Sequence, residues 1–502
     1  MSELVMIGGE MPDWSDRDSA PGGAVAAEVL RRLAPASGRI LVAGPHDDLL
    51  IDALGTRAEI VCLVRSEPDA LLLAQRGLAV RCGTLAKLTD TDRYDLVVAL
   101  DGLGRLCSVE GPQLDWAESL QVLRRALRPG GSLLLAVENE LGVHRLVDRS
   151  APTSAPGPGD WHPVGEFDET RPGNPTRLAA KLATDGLAVS WLAAAWPVPS
   201  APTLLATPNA LQNGPIGALS AAAAGAVGLA YAGKPVLSDP RRLAAAAVRS
   251  GMGAEFAAAW IVLAHRAPRP TVDVTPPPVL LGDGPLVELA QDREGTWTRT
   301  VIAGPALLDG PLPEGRLLEE VLLAACLRHD LPEARRLLTN WAAWGVDAAF
   351  DNVVLDGDVH AVLDPSKPSI GSPLRRFAET LVAGGYAHPW ASATGVESLT
   401  AVLTAAAGRS PEDDPARPAP PPPPQSLREQ DEELRLLREQ LADAATRAEW
   451  FERELDRRDA ALRWARLQIA AFSGKTSYRV AKLGAVGARR ARNALRRLGK
   501  DR

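Results

Sequence analysis

The chain has 502 residues, of which 46% are hydrophobic and 23% charged, which is material for two or three folded domains and excludes a disordered protein. Its net charge of −7 hides an asymmetry, because residues 475–502 carry ten Lys or Arg against one acid, Asp501, so that the tail is +9 and the rest −16. Cys62, Cys82, Cys107 and Cys326 show no C-x-x-C spacing, and the first ten residues lack a basic start and apolar run; neither a zinc site, a disulfide scaffold nor a secretory leader is indicated, and a reducing cytoplasm fits.

Residues 1–20 are polar and read as an N-terminal arm. Residues 21–208 alternate strand signals (Arg39–Gly44, Glu59–Val64, Ala79–Cys82, Leu96–Leu100, Ser132–Val137 and Ala188–Trp191) with helical stretches at Ala24–Leu33, Asp69–Arg76, Trp116–Leu127 and Pro175–Thr184. That alternation predicts a mostly parallel, doubly wound α/β sheet. Ile216–Ala232 is 17 residues of mostly Ala and Gly, short of the ~20 a bilayer needs, and reads as a packed helix. Residues 209–409 form a second, helix-rich α+β region. Residues 410–425 end in Pro420–Pro424 and read as an extended linker.

In residues 426–473 a heptad appears. Leu427, Leu434, Leu441, Ala448, Leu455 and Leu462 recur every seven residues, with Gln430, Leu437, Ala444, Phe451, Arg458 and Ala465 as companions. A parallel pair would set Glu433 against Arg438 and Arg447 against Glu452, both attractive, and Glu454 against Asp459, which repel. A coiled coil and a homo-oligomer are expected. Residues 474–502 intersperse Val480, Leu483, Val486, Leu495 and Leu498 with basic residues, the pattern of a helix lying on an anionic membrane. No aromatic platform or reader motif accompanies that charge, so nucleic acid is not expected.

The strand YDLVVALD (Tyr94–Asp101) and the LRPGG turn before Ser132–Val137 resemble the second half of class I S-adenosylmethionine-dependent methyltransferases. The resemblance implies a Rossmann-like methyltransferase sheet, S-adenosylmethionine as cofactor, and a cofactor site built from Gly44, Asp47, Glu67 and Asp101. This chain departs from the family at three places. Pro45-His46-Asp47 replaces the glycine run after Gly44. Arg65 stands where a carboxylate accepts from ribose hydroxyls, and Thr84 stands where Asp is common near the adenine. An unmet hydrogen bond there costs about 1–3 kcal/mol. ENELGVHRLVD (Glu138–Asp148) resembles a segment of methyltransferases of glycan synthesis, which makes Glu138 and His144 the candidate catalytic pair for taking a proton from a sugar hydroxyl. Trp161, Trp191 and Trp196 are candidate sugar-stacking residues.

In the second region, GVDAAFDNVVLDGDVHAVLDPS (Gly345–Ser366) resembles the catalytic segment of kinase-like phosphotransferases. The resemblance implies Asp347 near an acceptor hydroxyl, with Asn352 and Asp364 on Mg²⁺ and ATP, across a hairpin turning at Asp356-Gly357. A Gly-rich loop is lacking, and Arg299 stands where a lysine is usual. The whole layout resembles bifunctional methyltransferase–kinase enzymes that cap O-antigen polysaccharide. It implies a hydroxyl of a surface glycan or lipid-linked glycan precursor as substrate, at the inner face of the plasma membrane. The rival expectation is a non-catalytic scaffold that organises glycan-assembly enzymes through its coiled coil.

Overall fold

The computed structural model describes residues 3–89, 93–148, 168–266, 275–282, 284–305, 308–367, 371–410, 423–474 and 476–498. Trp161 and most of the proline-rich linker lie outside them. Residues up to Asp431 make one unit and Glu432–Arg502 a second.

The first segment is not a free arm. Its apolar run forms β1 (Leu4–Gly8), which pairs in parallel with the fourth strand from Leu4↔Val80 onward. After α1 (Ala24–Leu33) come β2 (Arg39–Ala43), α2 (Asp48–Ala53), β3 (Glu59–Val64), α3 (Glu67–Gln75), β4 (Ala79–Gly83) and β5 (Tyr94–Ala99). Strands β2 to β5 are parallel and apolar on both faces. In β2, Leu41 and Ala43 enter one core while Ile40 and Val42 enter the other, as strict alternation requires. Helices α1, α2 and α3 cover the second face through Val25, Leu50 and Leu73.

A capping box of Asp115 and Glu118 starts α4 (Trp116–Ala126), whose Leu120 and Leu123 cover the first face. β6 (Leu127–Glu138) follows without a loop. It starts opposite Tyr94, bulges through Pro129-Gly130-Gly131, and resumes with Ser132 opposite Leu96. A Cβ on Gly131 would lie 3.0 Å from the carbonyl oxygens of Arg128 and Tyr94, so a side chain there would crowd the backbone of the bulge. Then come α5 (Val143–Val147), α6 (Pro175–Thr184), β7 (Leu187–Trp196) and β8 (Leu204–Ala206).

The sheet runs on past residue 208. After α7 (Pro208–Asn213), α8 (Ile216–Ala230), β9 (Pro235–Val236) and α9 (Pro240–Arg249), the run AWIVLAHR forms β10 (Ala259–Arg266). β10 inserts between β6 and β7, antiparallel to both. The alanine-rich α8 is a packed helix that buries Leu219, Ala223 and Val227 against the sheet. The antiparallel strands β11 (Val279–Leu281), β12 (Leu286–Gln291), β13 (Trp297–Ala303) and β14 (Gly310–Pro311) extend it, giving the order β1-β4-β3-β2-β5-β6-β10-β7-β8-β11-β12-β13-β14 among the described residues.

A separate core follows. β15 (Arg316–Leu317), whose Leu317 still packs in the sheet's core, leads into it, and it holds α10 (Leu318–Leu327), α11 (Leu331–Trp344), β16 (Val353–Asp356), β17 (Val359–Val362), α12 (Pro373–Gly384) and α13 (Val396–Ala406). At its centre the Phe350 ring meets Trp341 and Phe377 edge-on, with centroids 4.9 and 5.7 Å apart. After β18 (Gln425–Ser426) the chain forms α14 (Leu427–Gly474) and α15 (Thr476–Leu498). No helix among the described residues is long and apolar enough to cross a membrane.

Candidate active site

Ligands of open α/β sheets sit outside the carboxyl ends of the strands. Here a cavity of about 990 Å³ opens at the ends of β5 and β6, walled by Leu103, Trp116, Val137, Pro199 and Tyr231. Six carboxylates line it (Asp101, Asp115, Glu138, Asp148, Asp168 and Glu169), with Arg105, Arg145, Arg171 and His144.

The structure brings Glu138 and His144 together. β6 ends at Glu138 and α5 presents His144, whose Nε2 lies 2.9 Å from Glu138 Oε1. The same oxygen accepts from Arg145 Nε at 2.9 Å. Burial opposes the charge of Glu138, but the His144 hydrogen bond and the positive neighbours Arg145 and Arg171 outweigh it and hold the carboxyl down to about 2. Glu138 Oε2 has no partner among the described residues. The other ring nitrogen of His144, Nδ1, is buried against Gly142 and has no partner among the described residues.

Asp101 lies at the end of β5, one-tenth exposed, and is held by Arg105 Nε at 2.7 Å and by Arg105 Nη2. Burial is the largest influence on it and lifts the carboxyl to about 6 despite that pair.

Gly44, Asp47 and Glu67 do not line the cavity. Gly44 makes the tight turn after β2 at φ 89°, and a Cβ there would sit 3.3 Å from Leu106 Cδ2, so a side chain already roofs the turn. His46 folds inward. Its Nδ1 lies 3.1 Å from the Gly44 carbonyl, while Nε2 accepts from the Leu100 N–H at 3.1 Å. Burial pushes the imidazole down to about 4, so it is neutral. Asp47 caps α2 by accepting from the Leu50 N–H at 2.8 Å, and Glu67 opens α3.

Arg65 grips Asp16 instead of facing a ribose. Its Nε and Nη2 bond the two carboxylate oxygens at 2.8 and 2.9 Å, and its Nη1 bonds the Cys107 carbonyl at 2.9 Å. Residues 9–18 thereby lie across the ends of β3 and β4. Met11 exchanges backbone bonds with Arg65 and Glu67, Ser66 donates to the Trp14 carbonyl at 2.6 Å, and Gly9 packs on Thr84. Sequence reading had no signal for Asp16 and Arg105, whose partners lie far away or inside a loop. The carboxylates of the cavity fit the cationic sulfonium and ammonium of S-adenosylmethionine. Residues 9–18 cover the ends of β3 and β4, where the family resemblance would put the ribose and adenine.

In the second region Asn352 and Asp364 meet, but through backbone. Asn352 Nδ2 donates to the Asp364 carbonyl at 2.8 Å and its Oδ1 accepts the Asp364 N–H at 2.9 Å. The Asp364 carboxylate caps Ser366. Arg299 is spent on the Leu308 and Leu363 carbonyls at 2.6 and 2.7 Å. Asp347 stands apart, near Arg409 at 3.9 Å. The cavity beside Asn352 and Asp364 measures about 70 Å³, far below the roughly 300 Å³ of a small-ligand site. ATP and Mg²⁺ do not fit this arrangement, and among the described residues no cluster of three His, Cys, Asp or Glu could hold a metal.

The parallel run β4-β3-β2-β5-β6, closed by the reversed β10 inside β7, is a doubly wound, Rossmann-like sheet. No family model matches the chain, and no curated protein matches it. Similar solved structures include the 1,6-didemethyltoxoflavin-N1-methyltransferase of Burkholderia thailandensis with bound S-adenosylhomocysteine, at 14% identity over 48% of this chain and 77% of that one, TM-score 0.25. A possible histamine N-methyltransferase of Thermotoga maritima is 14% identical over 48% and 87%, TM-score 0.27. The N-methyltransferase NodS of Bradyrhizobium japonicum with S-adenosylhomocysteine is 16% identical over 23% and 61%, TM-score 0.19. Likenesses this distant decide neither cofactor nor substrate.

Proposed function

We propose that the chain is an S-adenosylmethionine-dependent methyltransferase acting on a surface glycan or lipid-linked glycan precursor. The observation that carries this reading is the acid-lined cavity at the ends of β5 and β6, in a sheet with the methyltransferase strand order. S-adenosylmethionine bound there supplies an electrophilic methyl carbon. The chain's own residues then have distinct tasks. Asp101, lifted to about 6, is the cavity carboxylate best suited to take a proton near neutrality. Glu138, held near 2, stays charged, orients His144 and attracts positive charge. Trp116 and Tyr231 close the apolar wall that excludes water.

The tail and α14 complete the proposal. Val480, Leu483 and Val486 are exposed on the basic α15, which suits peripheral binding to an anionic membrane from the cytoplasmic side. Vesicles containing anionic lipid should pellet the full chain and fail to pellet one ending at Gly474; equal pelleting removes the lipid role.

The scaffold reading is favoured by a different observation, the coverage of the β3 and β4 ends by residues 9–18. Calorimetry of the full chain with S-adenosylhomocysteine separates the two. A saturable heat supports the enzyme. No heat at millimolar ligand removes it and leaves the adaptor.

A further inference from the structure

We infer that the part of the acceptor that enters the β5–β6 cavity is positively charged, an amine-bearing group such as an amino sugar, and that no phosphate group enters with it. The inference rests on the methyltransferase reading for the word acceptor, but on the cavity alone for its charge. Six carboxylates line the cavity against three arginines. Those arginines are already committed: Arg105 to Asp101, Arg145 to Glu138 Oε1, and Arg171 to the Glu138 carbonyl and, at 3.5 Å, to Glu140. What faces a ligand is therefore carboxylate. Glu138 keeps Oε2 open, Asp115 uses only Oδ1 in capping α4, and Glu169 bonds nothing among the described residues. Trp116 also lines the cavity, and the Tyr231 ring beside it already holds a cation, with Lys234 Nζ 5.6 Å from its centroid. A phosphate or diphosphate would enter this space with no uncommitted arginine to meet it among the described residues, and would lie beside charged Glu138.

The size agrees. A cavity of about 990 Å³ admits a sugar-sized ligand with room beside it. The same charge would attract the sulfonium cofactor, so donor and acceptor are drawn by one field.

The test uses charge isosteres on the full chain. Choline and its neutral isostere 3,3-dimethyl-1-butanol are titrated calorimetrically, with uridine diphosphate as the anionic control. The expected result is choline at least about tenfold tighter than the isostere, with no binding of uridine diphosphate. The preference should fall in Glu169→Gln, a surface change that leaves folding intact, and further in Glu138→Gln. Equal affinity of choline and isostere, tighter binding of uridine diphosphate, or no binding of any probe overturns the inference. Failure of the methyltransferase reading is distinguishable, because it shows as absent S-adenosylhomocysteine binding with the choline preference intact.

Discussion

Arg65 and Asp16 form a two-armed ion pair, at 2.8 and 2.9 Å, between the end of β3 and the segment that follows β1. Both side chains are nearly buried, 14% and 5% exposed. Burial opposes the charge of Asp16, yet the Arg65 and Trp14 hydrogen bonds and the Arg65 and Arg105 charges hold it below the ordinary carboxylate range. Breaking a buried pair from one side leaves the other charge uncompensated, at a cost of about 3–5 kcal/mol.

The first prediction follows from that asymmetry. Asp16→Ala should lower stability by about that amount, while Asp16→Ala with Arg65→Ala should cost much less. If residues 9–18 compete with adenosine, the double variant should bind S-adenosylhomocysteine at least about tenfold tighter than the parent, since one such bond pair is worth that factor or more. Thermal melts and calorimetry on the three proteins check it. Unchanged affinity in the double variant means the segment does not guard the site.

The second prediction concerns pH. Glu138 has its carboxyl depressed from 4.5 to about 2, so its contribution is complete above pH 4.5 and is lost as pH falls through about 2. Asp101 is raised from 3.8 to about 6, so the folded state holds the extra proton and stability is lost as pH rises from about 3.8 through 6. Glu138→Gln should therefore flatten the acid limb between pH 4.5 and 2. At neutral pH it should cost about 1–2 kcal/mol, the full shift being screened at a side chain one-third exposed. Asp101→Asn should flatten the decline between pH 3.8 and 6. Denaturant melts across the pH series measure both limbs.

A third prediction separates structure from phosphotransfer in the second region. The Asn352 amide ties the start of β16 to the exit of β17 with two bonds, and its side chain is nearly buried. Asn352→Ala should destabilise the chain by about 1–3 kcal/mol through the orphaned Asp364 N–H and C=O. ATP titrated into the parent should give no heat with or without Mg²⁺. A saturable ATP isotherm abolished by Asp364→Ala would reinstate the kinase-like expectation.

The strands β2 to β6 were legible because short apolar runs ending in turn residues can be little else. β10 carries as strong a run, yet its place was not legible, since β6 and β7 are its neighbours only after the chain has travelled through α7, α8 and α9. β1 has no distinct signal within the polar arm, because five residues at a sheet edge look like any short apolar stretch. Glu138 and His144 stand six residues apart across a sharp turn, so their meeting could be anticipated locally. Arg65 showed only a wrong charge for a ribose. Its meaning lies in Asp16, which is 49 residues earlier, and no periodicity links the two.

The last prediction concerns α14, whose heptad leucines from Leu434 to Leu462 are exposed. Leu441, Leu455 and Leu462 are 71%, 62% and 55% exposed, and each leucine buried in a seam would contribute about 1.5–3 kcal/mol. The Glu454–Asp459 conflict of a parallel pair is eased within the helix, because Arg458 Nε binds Glu454 Oε1 at 3.3 Å. We therefore expect the full chain to dimerise, and Leu441→Asn with Leu455→Asn to leave it monomeric with the melting of the folded body unchanged, since both residues belong to the second unit. Sedimentation equilibrium reads the result. A parent chain that stays monomeric at tens of micromolar would mean that the seam has no second copy to meet.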